Sequence, residues 1–158
     1  MSPVVVIMAA AVVADAATSR VPNTPPGEWP GEQARFLNRA ALRAGSQETC
    51  GLILGSREGS TLLIHRLSHC ENHSEDPEQR FRIPAAHLMA CDRAARFEDL
   101  LIVGAWHSHP GGQTRPSHSD LEELPEGWLG LIVTPNPEGP PGLQTYGRAG
   151  RTLEFLHA

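Results

Sequence analysis

The chain has 158 residues, 40% apolar and 20% charged, and a formal net charge of −5, the size and balance of one globular domain that buries its core without staples. The acidic residues are spread along the chain, which disfavours a nucleic-acid partner, since phosphate binding needs a basic face. All 13 basic residues are Arg, which excludes Schiff-base and lysine general-base chemistry.

The segment Val4 to Ala14 is small and apolar. It is too short to span a bilayer and lacks the basic start of a signal peptide; the preferred reading is a first strand near Val4–Met8 followed by a short helix or loop, with secretion, on the cleavage-like Ala14-Asp15-Ala16, as the minority reading. Pro22, Pro25, Pro26, Gly27 and Pro30 make 21–30 a loop. Residues 1–30 therefore read as an N-terminal segment and 31–158 as the domain proper. Gly31 to Ala44 spaces Ala34, Phe36, Leu37, Ala40, Ala41 and Ala44 on or near one helical face, with Gly45 as the stop. A buried strand over Thr49–Gly55, ended by Gly55, and a second over Thr61–Ser68 are joined by a hairpin turn at Arg57–Ser60.

A polar loop spans His69 to Gln79. The alternation of Phe81-Arg82-Ile83 predicts a short strand, and Pro84 to Phe97 a helix with Pro84 near its start. Leu100–Trp106 (LLIVGAW) and Trp128–Thr134 (WLGLIVT) read as fully buried strands, with a short helix beginning near Leu121 between them. Weaker strands come at Gly142–Gly147 and Arg151–Leu156, around a turn at Gly147–Gly150. The cysteines Cys50, Cys70 and Cys91 form no CxxC pair. They read as buried small hydrophobes in a reducing, cytoplasmic compartment, and nothing beside Cys50 marks a nucleophilic turn.

The stretch from Trp106 to Asp120 carries chemistry. Residues two apart on a strand share a face, so His107 and His109, with Cα atoms about 6.5 Å apart, aim at one point. Pro110 ends the strand, and Gly111 and Gly112 permit the return that brings up Asp120. Two imidazoles and a carboxylate suit Zn²⁺ with a fourth position open, the catalytic rather than the structural pattern. Each part also has a plainer reading. HxH pairs are common as ordinary histidines, and Ser117-x-x-Asp120 is a capping box for the helix near Leu121. Ser108 points away from the histidine face, which disfavours a Ser/His/Asp triad. His69 and His73 make a weaker second metal candidate, and His65, His87, His118 and His157 read as structural or solvated.

The pattern His107-x-His109-Pro110, six residues, then Ser117-x-x-Asp120, together with Glu48-Thr49-Cys50-Gly51-Leu52-Ile53-Leu54-Gly55, resembles the JAMM (MPN-plus) metalloproteases of compact prokaryotic type. The similarity extends through Phe81-Arg82-Ile83 and Val103–Trp106, over about residues 33 to 156. It implies an α/β (α+β) fold of MPN, cytidine-deaminase-like architecture, a curved mixed sheet flanked by helices. It also implies Zn²⁺ on His107, His109 and Asp120, and Glu48 as the base that takes a proton from the zinc-bound water. Ser117 would be the donor to the oxyanion. On residue chemistry alone Glu48 is a solvated charge before a strand. The implied activity is hydrolysis of the (iso)peptide bond after the C-terminal Gly-Gly of a ubiquitin-like or sulfur-carrier protein, and a homodimer is compatible with it. The alternatives are a non-catalytic MPN binding scaffold and a RadC-like protein. RadC-like chains typically carry Asn between the histidines and lack the Glu48-type strand.

Overall fold

The computed structural model describes residues 5–7, 29, 31–58, 61–147 and 154–157. Helix α1 (Gly31–Ala44) buries Gln33, Phe36, Leu37, Ala40 and Ala41, positions three and four apart that form one stripe. Gly45 comes next at φ +62°, the left-handed conformation that closes a helix. Helix α2 (Ala85–Phe97) starts from Pro84 as its N-cap and buries His87, Cys91 and Ala95. No described helix is long and apolar enough to cross a membrane.

Among the described residues seven strands form one sheet: β1 (Val5–Ile7), β2 (Cys50–Glu58), β3 (Thr61–His69), β4 (Leu101–Ser108), β5 (Leu129–Thr134), β6 (Gly142–Tyr146) and β7 (Glu154–His157). Their order is β1-β3-β2-β4-β5-β6, with β7 alongside β3. The pairs β4–β5 and β3–β7 are parallel and the rest antiparallel, the mixed sheet with flanking helices expected from the sequence. One face packs on α1 through Ile53, Leu62, Ile64, Val103, Trp106, Leu129, Leu131 and Val133. The other packs on α2 through Leu52, Leu54, Ala105 and Leu100.

Three expectations are corrected. β2 does not end at Gly55 but runs on to Glu58. The register with β3 shifts between Leu54 and Gly55, and a Cβ at Gly55 would collide with the Leu63 carbonyl, so this glycine serves a close strand approach rather than a stop. Phe81-Arg82-Ile83 is not a strand. Arg82 gives its N–H to Asn72 Oδ1, and its carbonyl accepts the His73 N–H, so the segment bonds to its own loop. The alternation arises because Phe81 and Ile83 both face inward. The short helix α3 (His118–Glu123) begins earlier than Leu121, directly after its cap at Ser117. The Pro-rich stretch 21–30 apart from Trp29, residues 59–60 of the first turn and 148–153 of the last lie outside the described residues.

Candidate metal centre

Strand β4 decides which way the histidines face. Opposite β2, Ile53 pairs with Gly104 and Leu54 with Ile102, so Val103 is an extra residue, a bulge that re-aims the rest of the strand. From Gly104 onward the even residues face α1. Trp106 is fully buried there, its Nε1 donating to the Ser68 carbonyl at 2.7 Å. Ser108 Oγ, on the same side, accepts the Thr49 N–H at 2.9 Å. That removes Ser108 from the histidines, as the alternation requires. Ala105 and His107 take the opposite face, with Cys50 and Ile132 beside His107 on the neighbouring strands.

His109 continues past the strand end, its N–H held by the Val133 carbonyl at 2.9 Å, and the turn closes with Gly112 N–H on the His109 carbonyl. Gly112 sits at φ +83°, where a side chain would be strained. The His109 ring nitrogen Nδ1 lies 2.8 Å from the Gln113 carbonyl, an acceptor only. Nδ1 therefore carries the proton, and a neutral ring offers a bare Nε2.

Helix α3 brings in the carboxylate. Ser117 Oγ accepts the Asp120 N–H at 3.1 Å while Ser117 N–H donates to Asp120 Oδ2 at 2.8 Å, a reciprocal capping box. The cap and the site thus coincide at Asp120. His107 Nε2 lies 3.0 Å from His109 Nε2 and 3.1 Å from Asp120 Oδ2, and His109 Nε2 lies 3.3 Å from the same oxygen. Three ligand atoms around one tetrahedral Zn²⁺ at 2.0–2.1 Å would stand about 3.3 Å apart. The donor set and its spacing fit such an ion, with a small expansion.

Glu48 stands just before β2, buried, with Oε1 unpartnered among the described residues. Its carboxylate and the two histidines fall within 4.8 Å of one another. Burial pushes its pKa up to about 7, against the pull of His109. Its backbone is clamped on both sides, N–H to the Pro77 carbonyl at 2.7 Å and carbonyl to Asn72 Nδ2 at 2.9 Å. Burial lowers the pKa of His107, with Asp120 opposing, so its ring is neutral, the form that binds a metal.

The sequence leaves Asn72 and Tyr146 without a role and places Phe81 on a strand. Phe81 stacks on the His107 ring at 4.3 Å and Tyr146 meets it edge-on at 6.2 Å, boxing the buried imidazole. No local pattern marks them, because their partners are distant in the chain. Among the described residues, Glu48, His107 and His109 also come close enough to share an ion. His69 instead meets Thr49 Oγ1 at 2.7 Å, and His73 is 3.6 Å from Glu71. The three cysteines are free and buried. Cys50 Sγ is 3.7 Å from Cys70 Sγ, and that thiol together with burial raises its pKa far above the range of a nucleophile.

Residues 32–146 match the model of a family described as prokaryotic homologs of the JAB domain. The chain belongs to this family. Glu48, His107, His109, Ser117 and Asp120 all lie within the matched JAB region. An Enterobacter hormaechei protein named CD-NTase/cGAS isopeptidase is 32% identical over 85 residues, 52% of this chain and 47% of that protein. A Haloferax volcanii protein named probable metalloprotease is 37% identical over 62 residues, 38% of each. The JAB chain thus spans about half or less of the curated relatives it matches. A Desulfitobacterium hafniense protein of known solution structure shares the fold, with TM-score 0.68, 23% identity, and 81% and 90% of the two chains covered.

Proposed function

We propose that this JAB-domain chain is a zinc-dependent peptidase or isopeptidase that hydrolyses the bond after the C-terminal Gly-Gly of a ubiquitin-like or sulfur-carrier protein. The observation that carries the reading is the convergence of His107 Nε2, His109 Nε2 and Asp120 Oδ2 within 3.0–3.3 Å, beside a buried, unpartnered Glu48 oxygen. The names of the two relatives support a peptidase-type activity.

His107, His109 and Asp120 would hold the zinc. A zinc ion in that position supplies Lewis acidity to a scissile carbonyl and makes water acidic near neutral pH. Glu48, with a pKa of about 7, is matched to take a proton from the attacking water and release it to the departing amine. The water oxygen bonds to the carbonyl carbon, the C–N bond breaks, and the amine leaves with the transferred proton. Ser117 Oγ accepts only the Asp120 N–H, so its own O–H is available to the carbonyl oxygen as that atom gains charge. An apolar recess of about 810 Å³, bordered by Phe81, Ile83, Leu88, Leu124, Trp128 and Tyr146 and reaching Asp120, suits an extended tail.

The test is metal analysis of the purified protein with incubation on a carrier protein extended beyond Gly-Gly, read by mass spectrometry. About one zinc per chain, cleavage after the second Gly, and near-complete loss in Glu48→Gln with zinc retained are expected. No zinc, or an unchanged rate in Glu48→Gln, overturns the proposal. Carrier binding without cleavage under every metal condition would make this a binding module instead.

A further inference from the structure

We propose that Arg115 binds the α-carboxylate of the residue released in the reaction. The preferred substrate is then a carrier tail with one C-terminal residue beyond the scissile bond, rather than a lysine isopeptide. The inference rests on the hydrolase reading above and adds the identity of the leaving group.

Two recesses that share no lining residue reach the site. Asp120 borders the apolar one, whereas Glu48, His109 and Ser117 border the second, of about 600 Å³. The base that receives the proton must return it to the departing nitrogen, so the leaving group belongs on the side that Glu48 borders. Arg115 is the one arginine lining that side. It makes no hydrogen bond or ion pair among the described residues. The other acidic residue there, Glu78, accepts from Ser46 Oγ at 3.1 Å.

The loop under Arg115 is anchored at both ends, by the His109 contact to the Gln113 carbonyl and by the Ser117 cap. Arg115 is two residues from Ser117, which limits their Cα separation to about 7 Å. Both residues line the same recess as Glu48 and His109, so the guanidinium borders the space into which a leaving amino acid would pass. An α-carboxylate sits two bonds from the departing nitrogen and matches the planar fork of a guanidinium bidentately. A lysine side chain offers a nitrogen at the end of a methylene chain and no carboxylate near it.

The experiment uses the zinc-loaded full chain and three versions of one carrier protein: ending Gly-Gly-Ala with a free acid, the same ending as a C-terminal amide, and Gly-Gly joined to a lysine Nε. Initial rates give kcat/KM for each. The acid should exceed the amide and the isopeptide by on the order of tenfold to a hundredfold, the worth of a hydrogen bond to a charged group. Arg115→Gln should collapse that ratio toward one, and Arg115→Lys should restore part of it. Independently of turnover, the Arg115 Nε–H resonance should shift on titration with free alanine and not with alaninamide. Equal rates on acid and amide in the wild type, a preference for the isopeptide, or an unchanged ratio in Arg115→Gln overturns the assignment of Arg115. A zinc-loaded wild type that cuts none of the three overturns the hydrolase reading, and this inference with it.

Discussion

At the scale of single residues, the centre holds polar groups that the fold satisfies incompletely. Glu48 Oε1 and His107 Nδ1 are buried with no partner among the described residues, an arrangement that costs stability unless something else engages them. Ser117 shows how one side chain serves twice, capping α3 through its oxygen while keeping its hydrogen free. Ser117→Ala should therefore have two separable effects. Loss of the cap should cost about 1 kcal/mol, read by denaturant unfolding. Loss of the donor should lower kcat on the order of 10²–10³, with zinc retained in metal analysis. If zinc is lost as well, Ser117 acts only by holding Asp120.

At the scale of elements, the loop between β3 and α2 has no regular structure, yet one amide organises it. Asn72 Nδ2 donates to the carbonyls of Glu48 and Arg80 at 2.9 and 2.8 Å, and its Oδ1 accepts from Ser74 and Arg82 N–H at 2.9 and 3.0 Å. That side chain ties the proposed base to the segment that lays Phe81 on His107. Asn72→Asp keeps the two acceptor bonds and removes the two donor bonds. It should cost about 1–3 kcal/mol in unfolding experiments and lower kcat at least tenfold with zinc content unchanged; an unaltered kcat would show that Glu48 is held without it. Such a hub is invisible in sequence, because an asparagine in a polar loop looks solvated. The strands and helices were legible because Leu52-Ile53-Leu54, the LLIVGAW run and the α1 stripe carry their own periodicity. The proposed ligand triad was legible as a cluster because His107, His109 and Asp120 are close in the chain. Glu48, fifty-nine residues before His107, was legible only through the family pattern. The Phe81 segment was misread because alternation reports which side chains face inward, not where the backbone hydrogen bonds go.

At the scale of the whole molecule, two linkages tie stability to solution conditions. On the proposed zinc reading, an ion bound to the folded state alone, at a hundredfold its dissociation constant, would add about 2.7 kcal/mol, or roughly 5–10 °C in Tm for a chain of this size. Scanning calorimetry should show that shift in the wild type and none in His109→Ala. The second linkage is protonic. Burial lowers the pKa of His69 and of His87, which sit against Thr49 and Ser68 respectively. Above the unfolded value of about 6.5 neither state of these rings is charged and their contribution is complete. As pH falls below that value the unfolded chain takes up protons first, and the contribution is lost. The Tm of the zinc-free protein should therefore fall less steeply below pH 6.5 in a His69→Gln/His87→Gln double variant than in the wild type. Parallel slopes would remove these two rings from the acid response.

The extra residue at Val103 bears on which changes of length the chain can absorb. A residue added at the exposed Pro137–Glu138 turn alters only a surface connection. A residue removed between Ile102 and Gly104 is absorbed for a different reason, because it turns the bulge into a regular ladder and both halves of β4 keep their faces. Ile102 then stays on the α2 side, Trp106 in the α1 core and His107 toward the groove, since Leu54 and Ile53 opposite are themselves consecutive. The bulge is thus spare length. The strict register lies beyond it, where a residue removed at Ser108 would make the two histidines neighbours and turn them to opposite faces.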